Sequence, residues 1–131
     1  EEAVAINDRY TRAYVNLAML AFPAGKYTEA EELLEKAVAS EPRDVEALAL
    51  LAQAQLMTGK LDAAILNARR VHELPHEKFA LVHLIAAHCF QAKKDADQAM
   101  VEYQIFLRED PKSERAPRAR AALETLQKTI H

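Results

Sequence analysis

The sequence predicts an all-α chain, a solenoid of three helix-turn-helix hairpins closed by a C-terminal capping helix. Two observations carry this expectation. The first is composition: half of the 131 residues are apolar, only two are glycine and none is tryptophan. Alanine, leucine and glutamate are abundant, and they lose little conformational freedom in a helix. The second is that the chain repeats itself. The stretches KYTEAEELLEKAVASEPRD (26–44), KLDAAILNARRVHELPHE (60–77) and DADQAMVEYQIFLREDPKS (95–113) align with Ala30, Ala64 and Ala99 in register, 34 and 35 residues apart. Upstream, TRAYVNLAMLAFPAGKY (11–27) aligns with VEALALLAQAQLMTGKL (45–61), so that Leu17 and Leu51, Ala18 and Ala52, and Gly25 and Gly59 are each separated by 34. The third copy, ALVHLIAAHCFQAKKDA (80–96), supplies Ala87 and places Lys94 where the others have glycine. Self-similarity at such a period marks a repeat array, in which each unit buries its apolar face only by stacking on a neighbour.

Taken in order, AVAINDRY (3–10) reads as the end of a preceding repeat's second helix, with 1–10 assigned to it. Repeat 1 then spans 11–44, repeat 2 spans 45–79, repeat 3 spans 80–113 and the capping helix 114–131, seven main helices in one array over 1–131. In repeat 1, Ala18 and Ala30 let the paired helices approach closely, because larger side chains would force them apart. Gly25 suits the turn between them, where a positive φ is needed. Pro23 is placed to end or kink the first helix early, and Pro42 and Pro111 stop second helices. The second helix buries Tyr27, Ala30, Leu33, Leu34, Ala37 and Val38 at helical spacing, leaving Glu29, Glu32, Glu35 and Lys36 to water. Asp95 and Asp97 flank a helix start, where acids complement the dipole. Phe106 stands in the third copy where Ala37 stands in the first, and His83 replaces the bulkier Tyr14 and Leu48, changes of opposite size that can compensate in packing. The final stretch presents Ala119, Ala122, Leu123 and Leu126 on one side and Arg118, Glu124, Gln127 and Lys128 on the other, as a cap requires. Pro117 is tolerable there only in the first turn.

A period of 34 with two helices per period resembles the tetratricopeptide repeat (TPR), through Tyr14, Asn16, Leu17, Ala18, Gly25, Tyr27, Ala30, Ala37 and Pro42 in the first copy. The resemblance covers nearly the whole chain. It implies a right-handed superhelix whose first helices line a concave groove that holds a peptide or helix of a partner protein. The matching inward positions are Arg12, Val15, Asn16, Met19 and Phe22 from the first copy, and Glu46, Ala49, Leu50, Gln53, Leu56 and Met57 from the second. The third contributes Leu81, Leu84, Ile85, His88 and Gln91. For each of these, packing within the array is the competing role. Some members of the family grip a C-terminal carboxylate with lysine, asparagine and arginine, and of that set only Asn16 is present here. An apolar or amphipathic helix is therefore the expected occupant. The competing reading is structural, a spacer or oligomerisation segment of a larger repeat protein that self-associates through its N-terminal edge.

Net charge is −3 with both signs interspersed, which gives no general field for nucleic acid or anionic lipid. The cations between Lys112 and Lys128 read as a solvated helix face. No apolar run approaches the roughly 18 residues that a membrane span needs. A single cysteine excludes a disulfide-stapled scaffold, and cytoplasm and periplasm both remain open. The start EEAVAI, without methionine, reads as a piece of a longer chain.

One stretch invites a chemical reading. VHELPHEKFALVHLIAAHC (71–89) holds four of the five histidines and the only cysteine, and HELPH matches the H-E-x-x-H pattern of zinc proteases. That chemistry needs both histidines on one face of an unbroken helix. Pro75 lies inside the pattern and stops the helix after Leu74, which carries His76 into a loop away from His72. No third ligand follows at the required spacing. His83 and His88 are about 140° apart around a helix, so His83 is expected between helices, as a satisfied core histidine, and His88 towards the groove. Cys89 reads as a small buried hydrophobe. No catalytic residue, cofactor or metal is assigned, and the chain reads as a non-enzyme.

Overall fold

The computed structural model describes residues 2–73 and 80–130. Seven helices and no strand are found among them: α1 (Glu2–Ala21), α2 (Tyr27–Ser40), α3 (Val45–Met57), α4 (Leu61–Glu73), α5 (Leu81–Ala92), α6 (Ala96–Glu109) and α7 (Ala116–Ile130). They pair as α1–α2, α3–α4 and α5–α6, each pair stacks on the next, and α7 closes against α6. The fold is the all-α solenoid that the sequence predicts.

The start of the chain differs from its reading. α1 runs unbroken across the boundary placed between residues 10 and 11, so 3–10 continues into the first hairpin. Nothing between Glu2 and Ala21 forces a stop: the stretch holds no proline or glycine, and Asp8 alone does not interrupt a helix.

The three hairpin turns are built alike. Lys26, Lys60 and Asp95 each donate a backbone N–H to the carbonyl five residues earlier, on Ala21, Gln55 and Phe90, at 2.8–3.0 Å. This is the Schellman closure, and it needs a left-handed residue just before the donor. Gly25 and Gly59 supply it at φ +75° and +84°, and Lys94 adopts φ +64° in the third turn. A side chain in that region costs roughly 1–2 kcal/mol, so the third turn keeps its geometry at the expense of strain that the first two avoid. α1 ends at Ala21, two residues before Pro23, and the N–H groups of Glu41 and Asp110 bond back to Ala37 and Phe106, just ahead of Pro42 and Pro111. Asp44 and Asp95 cap α3 and α6 by accepting from the N–H groups of Ala47 and Gln98. Pro117 sits in the first turn of α7.

The six register alanines, Ala18, Ala52 and Ala87 on first helices and Ala30, Ala64 and Ala99 on second helices, are all inaccessible to solvent. α3 is sandwiched. Ala47, Leu51 and Ala54 pack towards the first hairpin and Leu48, Ala49 and Ala52 towards the second, which is why VEALALLAQAQLM is apolar nearly all round. In α2, Ala30, Leu34 and Ala37 are buried and Tyr27, Leu33 and Val38 partly so. Phe106 and Tyr103 are among the largest fully buried side chains. His83 is buried as expected, with its Nδ1 2.7 Å from Glu102 Oε2 and its Nε2 3.7 Å from Glu109. Cys89 is buried, and burial pushes its thiol up to about 11.

Two polar features inside the stack have no counterpart in the sequence reading. Glu31, only 3% exposed, accepts from Lys60 Nζ at 2.7 Å and from Thr58 Oγ1 at 3.0 Å, which ties α2 to the α3–α4 turn. Asn67 Nδ2 donates to Gln55 Oε1 at 2.7 Å between α3 and α4. At the next junction Lys93 bonds Asp62, and Tyr103 donates to Gln91 within the third hairpin.

Candidate functional site

The first helices place one face of each along a common groove. The apolar wall begins with Met19 near the C-terminal end of α1 and Phe22 just beyond it, and Leu50 and Gln53 on α3 extend it. Leu81, Leu84 and His88 on α5 form its centre. These residues enclose a cavity of about 530 Å³, which Arg115, Arg118 and Ala119 close at the start of α7. That volume falls within the range of formed ligand sites, about 300–1,000 Å³. Half of the Met19 surface is open to solvent, so the apolar wall is accessible. Phe22 is held by Tyr27, ring centroids 6.2 Å apart. His88 is held edge-on by Tyr103 at 5.8 Å. Partial desolvation in the groove, and then the nearby Arg115 charge, lower its pKa from the ordinary histidine value, so the ring favours its neutral form.

Of the groove positions expected from the sequence, Met19, Phe22, Leu50, Gln53, Leu81, Leu84 and His88 come together around this cavity. Others are placed differently. Val15, Ala49 and Ile85 are shut into the core, because they lie on the flank of each helix that meets its neighbour. Leu56 is half-buried against the core, and Met57 is exposed at the end of α3, away from the cavity walls. Asn16 is exposed outside the cavity lining. Arg12 is paired with Asp44 at 3.3 Å and Glu46 at 3.4 Å, and Gln91 accepts from Tyr103.

Arg115, Arg118 and Ala119 are additions. The cations of the tail read as a solvated face, and Ala119 as core only. The missing signal is the repeat itself: one further period of 34 from Leu81, Leu84 and Ile85 falls on Arg115, Arg118 and Ala119. The capping helix therefore occupies the place of a fourth first helix and presents its groove positions as such a helix would.

His72 and Glu73 lie in the last turn of α4, and Leu74, Pro75 and His76 fall outside the described residues. Among the described residues no group of three or more histidine, cysteine or acidic side chains is arranged to hold a metal ion. No helix among them is long and apolar enough to cross a membrane.

The tetratricopeptide-repeat family model matches residues 21–66, the segment that runs from the first hairpin turn into α4. That segment is similar to the tetratricopeptide repeat. The TPR fold extends well beyond the matched segment. The TPR domain of Arabidopsis OM64 superposes with a TM-score of 0.85 at 14% identity, covering 93% of this chain and 98% of that one. The Yersinia enterocolitica type III secretion chaperone SycD, in complex with a peptide of the translocator YopD, gives 0.81 at 16% identity, covering 92% and 94%. The second TPR domain of human RPAP3, in complex with an HSP70 peptide, gives 0.80 at 16% identity, covering 92% and 98%. No curated protein sequence matched the chain. In this TPR array, as in any stack of hairpins, the groove is assembled from residues one period apart, so its lining is set by register and not by a local motif.

Proposed function

We propose that this TPR array is a protein-interaction module without catalytic chemistry of its own, which takes an apolar-faced peptide or helix of a partner protein in the groove across α1, α3, α5 and α7. The observation that carries the reading is the cavity of about 530 Å³ whose apolar wall includes the half-exposed Met19. Apolar surface left accessible in a formed concavity favours association by removal from water. Two of the superposed structures, SycD and RPAP3, hold peptides, which supports a peptide-sized occupant. Of the carboxylate-gripping set only Asn16 is present, and it lies outside the cavity lining, so apolar contacts dominate the groove.

Met19→Asp is expected to weaken capture of a selected peptide at least tenfold, since burying a methionine contributes about 1.5–3 kcal/mol and about 1.4 kcal/mol is tenfold in affinity. Met57→Asp, outside the cavity, is expected to leave binding unchanged. Titration of a labelled peptide, with circular dichroism to confirm equal helicity, measures both. Equal binding by wild type and Met19→Asp would remove the groove from consideration.

A second reading, self-association through the N-terminal edge, draws on a different observation. Leu17 and Leu20 on α1 are 52% and 72% exposed, whereas their register equivalents Leu51 and Ala54 on α3 are 5% and 0% exposed. In the interior of the stack these positions face the preceding hairpin, so α1 presents an apolar stacking face. A second copy, related by a two-fold axis and matching leucine to leucine, would cover it. Sedimentation at rising concentration is expected to show a dimer that Leu17→Glu with Leu20→Glu returns to monomer. A wild-type chain monomeric throughout would sink this reading and leave the groove untouched.

A further inference from the structure

We propose that the groove selects occupants that are apolar along one face and acidic at the end that meets α7, with Arg115 and Arg118 as the selecting residues. The inference rests on the groove reading above and adds to it a charge requirement and a direction.

Arg115 and Arg118 line the same cavity as Met19, Leu50 and Leu84, at the end opposite Met19 and Phe22. Among the described residues no aspartate or glutamate lines that cavity, and neither guanidinium is held in an ion pair. Arg12 provides the internal contrast: it occupies the equivalent register position on α1 and is engaged by Asp44 and Glu46. The two groove arginines keep their donors available, and a guanidinium offers a carboxylate two parallel N–H bonds.

One further feature acts in the same direction. Both arginines stand at the N-terminal end of the fifteen-residue α7, where the helix dipole adds positive potential. The third polar group of the α5–α7 wall, His88, is held towards its neutral form by partial desolvation and then by Arg115, so the two arginines carry the positive charge of this wall. The chain as a whole carries a net charge of −3. Attraction of an acidic segment is therefore local to this end of the groove, and a segment lying with its acidic end towards Met19 would lose it. An occupant laid in the groove has a preferred polarity: bulky apolar side chains towards α1, carboxylates towards α7.

Selection from a random peptide library with segments of about 16 residues, some four helical turns, tests this on the intact chain. Binders that Met19→Asp releases are sequenced. They are expected to carry Asp and Glu in excess of Lys and Arg, clustered to one side of an apolar stretch. The double variant Arg115→Glu with Arg118→Glu, both exposed and outside the core, is expected to fold as wild type and to reverse the excess towards Lys and Arg. For a wild-type binder, affinity is expected to fall about tenfold or more in that variant, and the loss to shrink as salt screens the pair. Groove binders without a charge bias, or with the same bias in both proteins, would overturn the proposal while leaving the groove as the binding site. Failure to recover any peptide that Met19→Asp releases would defeat both readings.

Discussion

Replacing Phe106 with alanine is expected to destabilise the array by about 3–5 kcal/mol, the range for truncating a buried aromatic side chain. Phe106 is 2% exposed and belongs to the core cluster that runs from α3 to α7. The sequence marks it as a departure, since the first copy has Ala37 at that position. In the structure each residue fits its own surroundings: Ala37 is sealed in the first hairpin and Phe106 fills the third. The reverse exchange, Ala37→Phe, would overpack the first hairpin at about 1–3 kcal/mol. Urea unfolding followed by circular dichroism measures both variants. Loss of less than about 1 kcal/mol for Phe106→Ala, no more than a buried Ile→Val change costs, would mean that the aromatic does not fill the third hairpin as described.

Glu31→Gln is expected to cost about 2 kcal/mol near neutral pH, within the roughly 1.5–3 kcal/mol assigned to hydrogen bonds with a charged partner. Burial works to raise the Glu31 carboxyl, but the bonds from Lys60 and Thr58 outweigh it and hold the pKa below the ordinary 4.5. A carboxyl whose pKa is lower folded than unfolded contributes stability that is fully present above the unfolded value and disappears as pH falls through the folded one. The gap between wild type and Glu31→Gln should therefore be widest above pH 4.5 and close on acidification below it. Glu35, one turn along α2, moves in the opposite direction: partial burial, and then the neighbouring Glu31, raise its pKa. Its contribution is present in acid and lost as pH rises through that elevated value, so mild acidification relieves Glu35 before it costs Glu31. Thermal melts from pH 7 down to pH 3 separate the two. A gap of constant size across that range would show that the Glu31 charge is not what the α2 to α3–α4 link depends on.

Much of the fold is legible in the sequence because it is written in register. Ala18, Ala52 and Ala87 on first helices, Ala30, Ala64 and Ala99 on second helices, and the turn residues Gly25 and Gly59 are the close contacts and left-handed turns that any such hairpin requires, so their spacing alone locates the pairs. What stays hidden is what a period cannot encode. Glu31 lies beside Glu29, Glu32 and Glu35 in a run of acids, and only the three-dimensional stack brings Thr58 and Lys60 over it and not over its neighbours. The groove divides in the same manner. Helical spacing puts Val15, Ala49 and Met19 on related faces, yet a few tens of degrees around the helix separate a residue sealed against its neighbour from one that lines the cavity. Arg115 and Arg118 are concealed for another reason. Their helix reads as a cap, and a cap is expected to turn its charges outward, whereas the period carried one step further places both on the groove.

The buried Cys89 gives the array a built-in clock. It is the only thiol in the chain, it is sealed at the register position of Ala54, and it stays protonated at neutral pH because its pKa stands near 11. Thiolate is the reactive form, so a thiol-modifying dye can label the folded array only when α5 opens and admits water. The labelling rate then counts openings of the third hairpin one by one, without any engineered probe. An occupant that braces α5 against α7 would lengthen the interval between them, and the same dye would time how long it stays.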